Sequence, residues 1–281
     1  MVYIRTKKIK GDKYLYLVKS IWDPKRSTSK QEIVKYLGKA SQVTPEDIPV
    51  DYRNDPKIQS FLSVHSGKNV EEVERLNKKL KLNLFNALTK GDLDKSLDIY
   101  ENYTRYGNLK NFFEDILKPV MHHVGDLWET SKLSVATEHV ASNIANELIS
   151  VINEKTSKLD HKGKVLVCTP SGEEHSLGCS MLQTFLQSKG FRVFNLSPSQ
   201  PTESILNFIE NEKPSIVLVS ITLEDNIKSG QRLVNKINSN YDLPVLVGGQ
   251  AIENDGHAFH ATLVKKESIG NIPKLIKQLS H

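Results

Sequence analysis

Residues 165–178 read Val165-Leu166-Val167-Cys168-Thr169-Pro170-Ser171-Gly172-Glu173-Glu174-His175-Ser176-Leu177-Gly178. An apolar run ends in a loop marked by proline and glycine. The loop carries one histidine, and an amphipathic segment follows. This is a strand, a loop and the start of a helix. The alternation continues to the end of the chain. Strands are expected at 164–169, 192–197, 215–222, 243–248 and 261–265, and helices at 176–189, 202–212, 227–238 and 270–280. Repeated strand–helix units build a doubly wound parallel sheet with right-handed crossovers, here over residues 163–281. Ligands of such sheets bind at the carboxyl ends of the strands. His175, Ser220 and Gly248 all fall there.

Upstream, residues 69–157 have helical periodicity. The expected helices are Glu71 to Leu88, a second to about Tyr106, Leu109 to Glu129, and a fourth capped by Ser134 that reaches about Lys155. Lys90-Gly91-Asp92 and Gly107-Asn108 separate them. Four helices with short connections read as an up-down four-helix bundle. Residues 41–68 contain Pro45, Pro49 and Pro56 among scattered polar residues and read as a linker. Residues 1–40 are mostly β. Tyr3-Ile4 opens one strand, Gly11-Asp12 a turn, and Tyr14 to Trp22 a second strand, while Gln31 to Leu37 suits either a short helix or a third strand.

The net charge of +5 is unevenly spread. Residues 1–40 hold eleven Lys and Arg against three Asp and Glu, a local +8 that leaves −3 for the rest. A polyanion partner therefore maps to the front. With 281 residues, 38% hydrophobic and 25% charged, the composition suits a globular protein of two or three domains. No apolar stretch approaches the ~20 residues of a membrane helix, and the N-terminus lacks a signal-peptide core. Two cysteines, Cys168 and Cys179, make no disulfide framework; both read as packing residues, and a reducing cytoplasm is expected. The oligomeric state stays open, a homo-oligomer included.

Three spaced elements, Glu173-x-His175-x-x-Gly178, Ser220-x-Thr222 and Gly248-Gly249, resemble the signature of cobalamin-binding domains. The wider phrase Thr169 to Gly178 resembles the CarH-type photoreceptors, with Glu173 where Asp is commoner. So does Trp128 followed after nine residues by Glu138-His139. The resemblance covers residues 70–281. It implies a flavodoxin-like, Rossmann-like cobalamin domain beneath a helical bundle, with the cofactor between them.

In that resemblance His175 is the cobalt ligand and displaces the cofactor's own benzimidazole. Cobalt takes a neutral imidazole, and Glu173 suits the ligand's other ring nitrogen. The freed nucleotide tail would run beside Ser176 and past positions without a Cβ, namely Gly178, Gly248 and Gly249. Ser220 and Thr222 would offer hydroxyls to it. Trp128, Glu138 and His139 would form a lid over the 5′-deoxyadenosyl group, with Glu138 near the ribose. Taken alone, Trp128 and His139 also suit core packing, Ser220 and Thr222 satisfied sheet-end hydroxyls, and Gly248-Gly249 a plain turn.

Two departures stand out. The family's second histidine, just after the tryptophan, is Glu129 here. His122 lies seven residues before it, roughly 10 Å along a helix. The usual winged helix at the N-terminus is also missing; residues 3–39 look somewhat like the basic hairpin of some transposases, which suits nucleic acid or a solvated basic face. The first reading is an adenosylcobalamin light sensor or regulator without turnover. A corrinoid carrier of a methyltransferase system, with methylcobalamin, is the enzymatic alternative. A cobalamin store or chaperone is the third.

Overall fold

The computed structural model describes residues 2–9, 12–23, 28–40, 43, 45–53, 55, 57–58, 61–62, 70–104, 107–157, 162–253, 258–265 and 268–279. Gly11, Pro56 and Tyr106, singled out above, lie outside them. The chain divides into two compact units, Met1–Ala87 with Asp94–His123, and Leu88–Leu93 with Val124–His281.

The first unit opens with β1 (Val2–Ile9), β2 (Asp12–Asp23) and β3 (Thr28–Lys39), an antiparallel meander in the order β1-β2-β3. Gln31 to Leu37 is therefore strand. Strand alternation turns Ile4, Leu15, Leu17 and Leu37 to one face. They are buried against Val43, Ile48, Ile58 and Leu62 from the following segment.

All four expected helices are present. They are α1 (Val70–Thr89), α2 (Leu93–Thr104), α3 (Lys118–Glu129) and α4 (Val135–Thr156). The chain enters α3 through a turn at Leu109–Asn111 and a π-helical segment at Phe112–Leu117. The wider π turn lets Phe112, Phe113, Ile116 and Leu117 all be buried. Phe112 meets Tyr100 edge-on at 5.0 Å. Ser134 caps α4 as expected, its Oγ accepting from the Thr137 N–H at 3.1 Å.

In the second unit, β4 (Lys164–Cys168), β5 (Arg192–Leu196), β6 (Ile216–Ser220), β7 (Val245–Gly248) and β8 (Thr262–Leu263) form a parallel sheet, ordered β5-β4-β6-β7-β8. This is the flavodoxin-like order, in which the winding reverses beside the first strand. The helices are α5 (Leu177–Ser188), α6 (Thr202–Glu212), α7 (Ile227–Asn240) and α8 (Ile272–Leu279). Alternate residues of the strands feed two cores. Leu166, Val217, Val219 and Val247 join Ile205, Ile209, Leu233 and Val234 from α6 and α7. Val165, Val167, Leu218 and Leu246 join Leu186, Ile272 and Ile276 from α5 and α8. Both faces are covered, so β4, β6 and β7 carry near-continuous apolar runs, Val165–Cys168, Ile216–Val219 and Val245–Val247. α4 buries Ala141, Ala145, Leu148, Ile149 and Ile152 and packs against α5. Among the described residues no helix is long and apolar enough to cross a membrane.

Candidate functional site

The loop from Thr169 to Ser176 leaves the carboxyl end of β4, next to the point where the sheet order reverses. It is tied on two sides. Toward the loop after β5, Thr169 Oγ1 accepts from the Ser199 N–H at 2.9 Å, and Ser199 Oγ accepts from the Gly172 N–H at 3.0 Å. Toward the loop after β6 and the first turn of α7, Asn226 Nδ2 donates to Gly172 O at 3.3 Å, and Ser229 Oγ to Ser171 O at 2.8 Å.

Glu173 is fully buried at the centre of this loop. Its Oε2 accepts from the Thr222 N–H at 2.9 Å, the Leu223 N–H at 3.1 Å and Asn226 Nδ2 at 3.0 Å. Its Oε1 accepts from the His175 N–H at 3.1 Å and lies 2.7 Å from His175 Nδ1. Burial by itself would raise the carboxyl's pKa. The bonds from His175, Leu223, Asn226 and Thr222 outweigh it and hold the pKa at about 2. Glu173 is therefore an anion near neutral pH and accepts only. Nδ1 must carry the proton, which leaves the Nε2 lone pair for a metal.

The His175 side chain is half exposed. Its pKa is raised, first by the bond to Glu173, against the effect of burial, and further by the charges of Glu173, Glu138 and Glu174. The Glu138 contribution brings the first turn of α4 into the electrostatic neighbourhood of the imidazole. Glu138 Oε1 accepts from Ser142 Oγ at 2.6 Å, and Oε2 lies 3.2 Å from His139 Nδ1. His139 is largely exposed. Trp128 belongs to the same unit as His175 and is 45% exposed. Val124, one turn earlier in the same helix, is buried. The indole is thus not a core side chain.

Beside the histidine loop, a Cβ added at Gly178 would meet only Ser220 Oγ, at 3.9 Å. Space is therefore open between the first turn of α5 and the end of β6. The Cys179 thiol lies below, hydrogen-bonded to Ser197 and Ser220; burial outweighs those bonds and pushes its pKa up to about 11. Cys168 is fully buried, and burial raises its thiol as well. Both cysteines pack, as expected. Ser176 precedes α5, and its hydroxyl makes no cap bond. A Cβ at Gly248 would touch Val264 at ordinary contact distance.

Gly249 has a reason of its own. Its φ is +112°, and a Cβ there would collide with the Ile221 carbonyl and lie 2.7 Å from the Ile221 nitrogen. The ends of β6 and β7 approach too closely for any side chain. Gly249→Ala is expected to destabilise the fold by about 2–4 kcal/mol, measured as a shifted denaturant midpoint.

Sequence reasoning placed His175, Glu173 and the glycines but missed Asn226 and the Leu223 amide. A buried carboxylate must find donors, yet nothing in the spacing shows that they come from the loop after β6. Thr222 enters through its backbone N–H. A half-exposed imidazole with one ring nitrogen fixed, an open slot beside it and a carboxylate nearby fit a corrinoid held through that imidazole.

Residues 163–264 match the B12 binding domain family. Residues 82–153 match a second family described as a B12 binding domain. The chain is 28% identical over 141 residues, half its length, to the HTH-type transcriptional repressor CarH of Myxococcus xanthus, of which it spans 47%. It is 24% identical over 214 residues to methionine synthase of Mycobacterium leprae, covering 69% of this chain and 17% of that protein. In fold it is similar to the Methanosarcina barkeri monomethylamine corrinoid protein, with a TM-score of 0.59 and 15% identity over 72% of this chain and 99% of that one.

Proposed function

We propose that this chain, which belongs to the CarH-type cobalamin-binding family, is an adenosylcobalamin-dependent light-sensing regulator. It binds a cobalamin; the adenosyl form, the light response and the residue roles are our reading. The observation that carries it is the company of His175. An exposed Trp128 and a Glu138 that acts on the imidazole's charge stand in one unit with it.

Adenosylcobalamin would supply a cobalt–carbon bond that light cleaves. The protein's part is to hold and to cover. His175 Nε2 would hold the metal, with Glu173 fixing the tautomer. Gly178, Ser220, Thr222, Ser176 and Gly248 would line the way for the tail. Trp128 would exclude water, Glu138 would accept from the ribose hydroxyls, and His139 would support Glu138. In this reading residues 1–40 carry the output to a nucleic acid.

The second reading is a corrinoid methyl carrier, favoured by the match to methionine synthase over 69% of this chain. A carrier needs an open upper face, and Trp128 argues against that. Titration decides between them. Adenosylcobalamin should bind more tightly than methylcobalamin, and Trp128→Ala and Glu138→Ala should each weaken the adenosyl form on the order of ten-fold, the worth of about 1.4 kcal/mol, while sparing the methyl form. Equal affinities would move the protein to the carrier class. Absorbance spectra of the adenosyl form before and after green light test the sensor directly; an unchanged spectrum would overturn it.

A further inference from the structure

We infer that the outer face of the N-terminal sheet is a stacking platform for single-stranded nucleic acid. The inference rests on the nucleic-acid reading of residues 1–40 and is independent of the cofactor.

The strand register assigns the faces. Ile4 pairs with Leu17 on the buried side. One residue on, Arg5 pairs with Tyr16, and Lys7 with Tyr14. Across β2 and β3, Tyr16 pairs with Tyr36, Val18 with Ile33 and Tyr14 with Lys39. Cross-strand partners share a face, so Arg5, Lys7, Tyr14, Tyr16, Tyr36 and Lys39 lie together on the outer side. The side chains agree. The Tyr16 and Tyr36 rings are 5.0 Å apart, Tyr14 and Tyr36 6.5 Å, and Arg5 Nη1 reaches across the sheet to Gln31 Oε1 at 3.0 Å. Alternation along β2 turns Trp22 to the same side.

Much of this face is exposed although it is apolar, Val18 excepted at 1%. Trp22 is 62%, Ile33 66% and Tyr36 52% accessible. Exposed apolar area of this kind marks a binding surface. Its charge selects the occupant. Arg5 and Lys7 lie beside the rings. Asp12, which pairs with Ile9 at the end of the same register, is neutralised by Lys39 at 2.9 Å. Residues 1–40 as a whole carry +8. Cations flanking aromatic rings fit a phosphate backbone whose bases lie flat on the rings.

The same chemistry disfavours a duplex. In the major groove only base edges are offered, and they are read by Arg, Lys, Asn and Gln. Here the one amide identified on the face, Gln31, is engaged by Arg5, and the rest of the surface is largely ring. Stacking needs unpaired bases. DNA and RNA single strands share this chemistry, so both enter the test.

The experiment is fluorescence anisotropy of the full-length protein with labelled twelve-nucleotide oligo(dT), oligo(U) and a duplex of equal length, at about 50 mM salt and above. The expected result is binding of at least one single strand, weakening with salt, and at least ten-fold tighter than binding of the duplex. Tyr36→Ala and Trp22→Ala should each lower single-strand affinity on the order of ten-fold and leave cobalamin binding unchanged. In the Trp128→Phe protein, Trp22 is the remaining tryptophan, and its emission should be quenched by the single strand. Preferential duplex binding, or aromatic variants that bind as tightly as the parent, would overturn the platform. Failure of all three probes would overturn the nucleic-acid reading itself. None of these outcomes touches the cofactor assignment, which the cobalamin titration of the same protein reports separately.

Discussion

His175→Ala is expected to weaken cobalamin binding by roughly a hundred-fold or more. Groups that hydrogen-bond to a metal-bound histidine are alone worth about 10–100-fold, and this substitution removes the ligand itself. The ring contributes little to folding, because it is half exposed and its one fixed nitrogen bonds to Glu173. The variant should therefore fold, and the loss should appear as altered ligation. Electron paramagnetic resonance of the cob(II) form should show nitrogen coupling from the protein in the parent chain and none in the variant. Identical spectra and affinity in the two proteins would mean that the histidine is not the ligand.

Glu173→Ala should produce the largest loss of stability. The side chain is fully buried and satisfies three donors from the loop after β6, Thr222 N, Leu223 N and Asn226 Nδ2, as well as the amide and ring of His175. Removing it strands those donors out of water, at about 1–3 kcal/mol for each buried group left unpaired. A total of about 3–5 kcal/mol follows, since the loop can relax toward solvent on one side. The pH dependence gives an independent signature. The folded pKa of about 2 lies below the ordinary 4.5. A depressed carboxyl stabilises the folded state above its unfolded pKa, and this stability disappears as pH falls from about 4.5 toward 2. For the cofactor-free protein, this contribution is on the order of 3 kcal/mol. Denaturation of the parent and Glu173→Gln proteins across that window should show a steeper acid loss in the parent. Parallel curves would show that Glu173 is not an anion in the fold.

The parallel domain was legible because its strands are short apolar runs punctuated by glycine and proline. Helix 202–212 matches residue for residue, and the strand ends differ by at most two residues. The spatial order of the strands was not visible, since periodicity reports burial and not neighbours. Gln31 to Leu37 was ambiguous for a physical reason. The β2–β3 pairing shifts register between Leu15 and Tyr16 and again between Leu17 and Val18, so β3 carries extra residues at Leu37 and Val34. Those insertions place Ile33, Val34 and Leu37 at spacings of one and four, which imitate a helix. The π-helical segment was hidden likewise, because Phe112-Phe113 and Ile116-Leu117 read as the broad apolar face of an ordinary helix. At the site, the acid–histidine pair is local and could be read from spacing. Beyond His175 itself, the donors that hold Glu173 as an anion come from 49 to 53 residues away, and folding alone brings them there.

The double tether of the histidine loop has a mechanical corollary. A segment held by Ser199 on one flank and by Asn226 and Ser229 on the other is stiff, and a stiff seat does not yield when its load changes. In the proposed reading, a change at a metal seated on His175 would therefore be taken up outside this loop, at freer side chains such as Trp128, 45% accessible, and His139, 71% accessible.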